Sequence, residues 1–188
     1  GRCKELLIPG VKVVLAKSDN PNRKTRYDLV TVEKNGLGLI NIDSQAPNKI
    51  IHQWLSEQDF DLIKPEYTYG QSRIDFYMER SGKRYLLEVK GCTLEREGIG
   101  YFPDAPTQRG VKHIHELIKA QKEGINAGIA FVIQMPLVCE VRPNVETHPA
   151  FGEALAEAEA AGVKIITVGC DVRPASLIID YTRIHGSF

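Results

Sequence analysis

Short alternating and β-branched runs open the chain. Val11-Lys12-Val13-Val14-Leu15 and Arg26-Tyr27-Asp28-Leu29-Val30-Thr31-Val32 predict two strands. Leu37 to Ile42 predicts a third, returning through Asn35-Gly36, the dipeptide favoured in a two-residue hairpin turn. Three short strands are too few for an independent core, so further strands are expected upstream; the chain also begins Gly1-Arg2-Cys3 without an initiator Met. From Pro47 the period changes. Ile50, Ile51, Trp54 and Leu55 fall at helical spacing, followed by strand-like runs at Phe60–Ile63, Arg73–Met78 and Tyr85–Lys90, the last two joined through Ser81-Gly82. A helix fits Gln108–Glu123, with Val111, Ile114, His115 and Ile118 on its apolar stripe and Gly124 as its stop. Gly128–Gln134 reads as a strand buried on both faces, Pro149–Ala161 as a helix ended by Gly162, and Val163–Val168 as another buried strand. The order α-β-β-β-α-β-α-β predicts a mixed sheet flanked by helices.

Composition narrows the classes. The chain has 188 residues, 43% hydrophobic and 26% charged, with 24 Lys/Arg balancing 24 Asp/Glu. Those proportions exclude a disordered chain or a histone-like polycation. The longest apolar stretch, Gly128–Cys139, is broken by Gln134 and Pro136 and falls short of the ~20 residues of a membrane helix. Cys3, Cys92, Cys139 and Cys170 are scattered without a C-x-x-C pair, which argues against structural zinc and for reduced thiols in the cytoplasm. The balance of charge is uneven along the chain. Residues 1–43 hold eight Lys/Arg against five Asp/Glu, and Lys17, Arg23, Lys24 and Arg26 share one loop region.

The chemistry concentrates in Ser72-Arg73-Ile74-Asp75-Phe76-Tyr77 and Leu86-Leu87-Glu88-Val89-Lys90. Strand alternation predicts Arg73, Asp75 and Tyr77 on one face and Ile74, Phe76 and Met78 on the other, with Glu88 and Lys90 together. A hairpin through Ser81-Gly82 brings Asp75 near Glu88 and Lys90. Two carboxylates and an ammonium on an apolar sheet are costly to desolvate unless paired or metal-bound. One reading is a hydrolytic site: Asp75 and Glu88 hold Mg²⁺ or Mn²⁺, and Lys90 serves the attacking water or the developing charge. The other is a surface hairpin with a cross-strand Lys–Glu pair, worth a few tenths of a kcal/mol.

Longer motifs carry a family resemblance. Asn20-Pro21-Asn22-Arg23-Lys24-Thr25-Arg26-Tyr27-Asp28-Leu29, Tyr69-Gly70-Gln71-Ser72-Arg73-Ile74-Asp75-Phe76, Glu88-Val89-Lys90-Gly91-Cys92-Thr93-Leu94 and Phe102-Pro103-Asp104-Ala105-Pro106-Thr107-Gln108-Arg109-Gly110 closely resemble the sugar fermentation stimulation protein A family. The resemblance implies DNA binding, an N-terminal OB-like β-barrel and a C-terminal domain similar to PD-(D/E)xK nucleases. Position by position it implies that Asp75 and Glu88 are the two acids of that signature and Lys90 its lysine, with Glu66 as a further acid. Ile74 stands where the signature has Pro.

The expected fold class is α/β: a partial OB-like module over residues 1–43, then a nuclease-like mixed sheet flanked by helices over 44–188. The expected function is DNA binding with a Mg- or Mn-dependent phosphodiesterase site; the alternative is a non-catalytic DNA-binding regulator of sugar metabolism on the same fold. Arg23, Lys24, Arg26, Arg73, Arg109 and Lys112 are the candidate phosphate contacts. For Arg109 and Lys112 a solvated first helical turn is an equal reading. The loop Leu94–Arg109 is long enough to be functional, Thr107 is placed to cap the helix, and Tyr101 and Phe102 fit either base stacking or the core. His113 and His115, two apart on a helix, diverge by roughly 200° and cannot share a metal; one is expected in the core and one outside.

Overall fold

In a computed structural model the described residues are 2–19 and 22–188; Gly1 and the Asn20-Pro21 start of the first motif lie outside them. The N-terminal runs form β1 (Val13–Lys17), β2 (Tyr27–Lys34) and β3 (Gly38–Asn41), an antiparallel sheet in that order. The turn after β2 has three residues instead of the expected two: Lys34 pairs with Gly38, and Gly36 and Gly38 both take positive φ. These strands close their core on the rest of the chain. Leu6, Val32 and Ile40 pack with Cys92, Ile133, Met135 and Val138. The Asn41 N–H donates to the Gln134 carbonyl at 3.0 Å, and Lys34 Nζ donates to the Glu95 carbonyl at 2.9 Å.

The second part contains α1 (Ala46–Ser56), β4 (Leu62–Tyr69), β5 (Ser72–Arg80), β6 (Lys83–Cys92), β7 (Leu94–Arg96), β8 (Ile99–Phe102), α2 (Gln108–Lys122), β9 (Asn126–Ile133), β10 (Val141–Pro143), α3 (Pro149–Ala160), β11 (Lys164–Arg173) and β12 (Ser176–His185). Six strands make one mixed sheet in the order β12-β11-β9-β6-β5-β4. β6, β9 and β11 run parallel; β4, β5 and β12 are antiparallel to their neighbours. One face packs on α1 through Ile51, Leu55, Phe76, Leu87 and Val132, and the other on α2 and α3 through Ile114, Leu117, Phe151, Leu86 and Ile129. Among the described residues no helix is long and apolar enough to cross a membrane.

Four expectations change. The strand expected at Phe60–Ile63 runs Leu62–Tyr69, because Pro65 sits on the edge strand, where a missing N–H costs no ladder bond. The loop expected at Leu94–Arg109 contains the β7–β8 hairpin, turned by Glu97 and Gly98 with positive φ at both, and β10 extends that small sheet. β12 closes the far edge of the main sheet. On α2 the buried stripe is Gly110, His113, Ile114, Leu117 and Ala120, so His113 is the core-facing histidine while His115 is exposed. Thr107 caps this helix, its hydroxyl accepting from the Gly110 N–H at 3.0 Å.

Candidate functional site

The site lies where the sheet splits. β5 and β6 pair from Arg80↔Lys83 to Phe76↔Leu87 and stop there, while β6 continues beside β9 as far as Cys92↔Ile133. The Val89 N–H, left without a strand partner on that side, donates to Asp75 Oδ2 at 2.8 Å. Asn48 in the first turns of α1 donates to Oδ1 at 2.9 Å. Opposite Asp75, Glu66 is left out of the β4–β5 pairing and takes φ +57°, while the register on either side of it is unchanged. The alternation expected along β5 slips by one here. Phe76 and Met78 face α1, but Ile74 packs with Tyr77 on the α2 side instead of with them.

Glu88 and Lys90 share the α2 face of β6, as alternation requires. Lys90 Nζ donates to Glu88 Oε1 at 2.5 Å, and His113 Nδ1 meets the same oxygen. Arg109 Nε reaches His113 Nε2 at 3.3 Å. A guanidinium only donates, so His113 accepts at Nε2 and carries its proton on Nδ1, directed at Glu88. The result is a chain, Arg109–His113–Glu88–Lys90, joining α2 to β6, buried at His113 and Glu88 and reaching the surface at Arg109. Glu88 is 3% exposed and His113 4%, and Glu88 Oε2 has no hydrogen-bond partner among the described residues. A buried carboxylate oxygen without a donor costs about 1–3 kcal/mol or more, so the arrangement is expensive unless something else completes it.

The two acids are driven apart. Burial pushes the Asp75 carboxyl above the usual carboxylate range, and the nearby Glu88 charge adds to this; the Val89 N–H, the Asn48 amide and Lys90 oppose it. Burial acts the same way on Glu88, but the hydrogen bond from His113 and the charge and hydrogen bond of Lys90 outweigh it and hold Glu88 below its ordinary value.

Beside Lys90 lies a cavity of about 420 Å³, between Cys3 and Ile42 of the N-terminal part and the end of β6. Val89, Lys90 and Gly91 form one wall, Tyr101 and Phe102 another, with Ser44, Thr93, Asp104 and Gln134 among the polar lining.

The other candidates are placed differently. Glu66 and Arg73 form an exposed ion pair with each other. Lys112 Nζ donates to the Gln71 carbonyl at 3.2 Å, at the β4–β5 turn. Arg23 pairs with Asp28 through both guanidinium arms, while Lys24 and Arg26 are exposed and make no ion pair among the described residues. Asp75, Glu88, Lys90 and Arg109 thus come together, and Glu66, Arg73, Lys112 and the 23–26 loop are not in hydrogen-bond contact with them. The pattern of the sequence singles out neither His113 nor Asn48 as a site residue. His113 is legible there only as a possible core-facing histidine, and nothing in the sequence marks Asn48.

The residues fit a hard divalent cation. The described residues contain no cluster of three or more His, Cys, Asp or Glu placed to hold a metal. Mg²⁺-type ions, however, bind through one or two carboxylates and complete their shell with water and substrate phosphate. Asp75 and the unpartnered Oε2 of Glu88 supply such a pair of oxygens.

The chain matches the "SfsA N-terminal OB domain" family over residues 1–42 and the "Sugar fermentation stimulation protein RE domain" family over residues 45–176. It belongs to the sugar fermentation stimulation protein family. A sugar fermentation stimulation protein homolog of Clostridium beijerinckii is 51% identical over 189 residues, covering 98% of this chain and 83% of that protein. A homolog of Clostridium tetani is 52% identical over 179 residues, covering 92% and 77%. The solved structure of Pyrococcus furiosus SfsA in complex with Ca²⁺ superposes with a TM-score of 0.84 at 31% identity, over 99% of this chain and 79% of that one. The N-terminal strands are therefore those of the family's OB domain, here an antiparallel sheet resting on the mixed sheet of the second part.

Proposed function

We propose that this protein is a divalent-cation-dependent phosphodiesterase acting on DNA, with Asp75 and Glu88 holding the cation and Lys90 serving the reaction beside them. One observation carries the reading: a buried carboxylate, Glu88, is held charged by Lys90 and His113 while its second oxygen is left without a donor. A structural ion pair has no need of that open valence. The Ca²⁺ bound by the P. furiosus relative supports a divalent ion in this family, and we assign Mg²⁺ or Mn²⁺ here from the all-oxygen donor pair.

Bound at these carboxylates, the cation would lower the pKa of a coordinated water and offset phosphate charge. The chain's own residues do the rest. His113 fixes the Glu88 carboxylate through Oε1, leaving Oε2, without a donor among the described residues, as the oxygen that would hold the cation. Asn48 and the Val89 N–H hold Asp75 across the split in the sheet. Lys90, with its side chain 14% exposed and its ammonium beside the cavity, is placed to orient the attacking water or to stabilise the charge developing on phosphate. Exposed Lys24 and Arg26 are read as non-specific backbone contacts.

The test is incubation with end-labelled single-stranded, duplex and branched DNA, in Mn²⁺ and in EDTA, beside Lys90→Ala. Metal-dependent cutting that disappears in Lys90→Ala is expected. Binding without cutting under any metal condition would replace the enzyme with a DNA-binding regulator.

A further inference from the structure

The cavity beyond Lys90 has a shape and lining that a phosphate site alone does not require. It sits on the seam between the two parts of the chain and draws walls from both: Cys3 and Ile42 on one side, and Gly91, Thr93, Tyr101 and Gln134 on the other. Its volume of about 420 Å³ lies in the range of roughly 300–1,000 Å³ typical of small-molecule sites. A duplex with both its backbones cannot enter such a space.

Its polar groups are fixed in orientation. Gln134 is 3% exposed, and its Nε2 donates to Asn41 Oδ1 at 3.0 Å and to the Asp43 carbonyl at 3.2 Å. Those two acceptors settle which end of the amide is which. Oε1, which accepts no hydrogen bond among the described residues, faces Gly91, where an added Cβ would collide with it and would lie 2.9 Å from Pro47 Cγ. The glycine therefore preserves room in front of an acceptor whose direction is set. Asp104 is committed to the wall itself, accepting from the Arg2 N–H at 2.5 Å and the Cys3 N–H at 3.2 Å. Of the two aromatic residues, Phe102 is engaged in the core against Phe131 and Phe151. Tyr101 has no aromatic partner among the described residues; the Arg96 guanidinium lies 5.4 Å from its ring centroid and its hydroxyl hydrogen-bonds with Arg142, which hold the ring in place without a stacked neighbour.

A flat aromatic surface, a fixed acceptor and an ammonium at the mouth together match one chemistry: a planar heterocycle with an N–H edge, attached to a phosphate. We propose that this cavity takes a single unpaired nucleobase of the strand whose phosphate lies at Asp75, Glu88 and Lys90. Tyr101 provides the stacking surface and Gln134 Oε1 accepts from the base edge. The inference rests on the phosphodiesterase reading of the site and adds the substrate class: nucleic acid that is single-stranded, or opened, at the position of reaction.

The test is equilibrium binding of the full chain, with Ca²⁺, to a short single-stranded oligonucleotide and to a set of the same strand carrying one abasic position at each place in turn. One abasic position should weaken binding about tenfold, the scale of a stacked base, while the others change little. Tyr101→Ala should lose the same factor on the complete strand and nothing on that abasic strand, and Tyr101→Trp should recover it. Unchanged affinity for that abasic strand also reports that the variant is folded, and the abasic scan on the unmodified protein needs no variant. Uniform affinity across the abasic set, with the strand still bound, would overturn the base pocket and leave the phosphate site standing. Failure of every strand to bind, with or without Ca²⁺, would overturn both.

Discussion

Arg183 and Glu88 are buried charges in one sheet, and the chain treats them in opposite ways. All five N–H groups of Arg183 are engaged: Nε with Asp180, Nη1 with the Met135 and Val138 carbonyls, and Nη2 with the Cys170 carbonyl and Asp171, at 2.7–3.3 Å. It fastens β12 and the segment after β9 to β11. Gly169 is required for this, since a Cβ there would lie 3.1 Å from the Arg183 carbonyl and strike its side chain. Glu88 instead receives two donors on one oxygen and none on the other. A saturated charge holds a fold together; a charge with an open valence costs stability and makes sense where a ligand completes it.

The sharpest break of that contrast is in stability. Arg183→Met should cost about 3–5 kcal/mol, because it strands Asp180 and three carbonyls; Glu88→Gln, which keeps an acceptor for Lys90 and His113 and loses only the charge they hold, should cost less, about 1–2 kcal/mol. Urea denaturation of both variants decides it, and equal losses would dissolve the distinction. In turnover the order reverses. Lys90→Ala should lower DNA cleavage roughly 10²–10³-fold with a far smaller change in unfolding midpoint, read from single-turnover rates. His113→Asn should weaken Mn²⁺ binding about 10–100-fold, the usual cost of removing a group that orients a metal ligand, as measured by calorimetry.

Asp75 tests the sign of the electrostatics. Its pKa is raised by burial first and by Glu88 second, so its ionisation weakens the metal-free fold. That cost is absent below the ordinary aspartate range, grows as pH rises through it, and is complete above the raised value. Asp75→Asn, which lacks the titration but offers one acceptor to two donors, should therefore gain metal-free stability relative to the unmodified protein as pH rises from acid to neutral, while cation affinity falls. A difference in Tm that does not change with pH would contradict the assignment. The smallest effect belongs to the N-terminal loop. Lys24→Ala with Arg26→Ala should flatten the salt dependence of DNA affinity, the slope falling by about 0.9 for each phosphate no longer neutralised. Arg23→Ala should flatten it by less, since Arg23 is already held by Asp28.

The strands that alternate cleanly, and the helices with caps and stops, were legible in the sequence: β2, β6, α2 and α3 lie within a few residues of their expected bounds. What the pattern could not give came from tertiary context. Pro65 argues against a strand until the strand is known to be an edge. The β7–β8 hairpin is too short to carry a period, and β12, at a sheet edge, shows weak burial along its length. In the site, Asp75, Glu88 and Lys90 could be named from spacing and resemblance. The slip at Asp75 arises from the parting of β5 and β6, which no local rule encodes. His113 and Asn48 reach the site only because α2 and α1 pack on opposite faces of the sheet.

Whether the open valence of Glu88 is a cation site decides between an enzyme centre and a costly ion pair. Mn²⁺ titration followed by electron paramagnetic resonance addresses that directly, on the unmodified protein, on Glu88→Gln, and on Glu140→Gln as a control at an exposed acid paired with Arg142. Saturable Mn²⁺ binding that Glu88→Gln abolishes and Glu140→Gln retains is the expected result. Mn²⁺ bound equally well by Glu88→Gln, or not bound by the unmodified protein, would contradict the cation site.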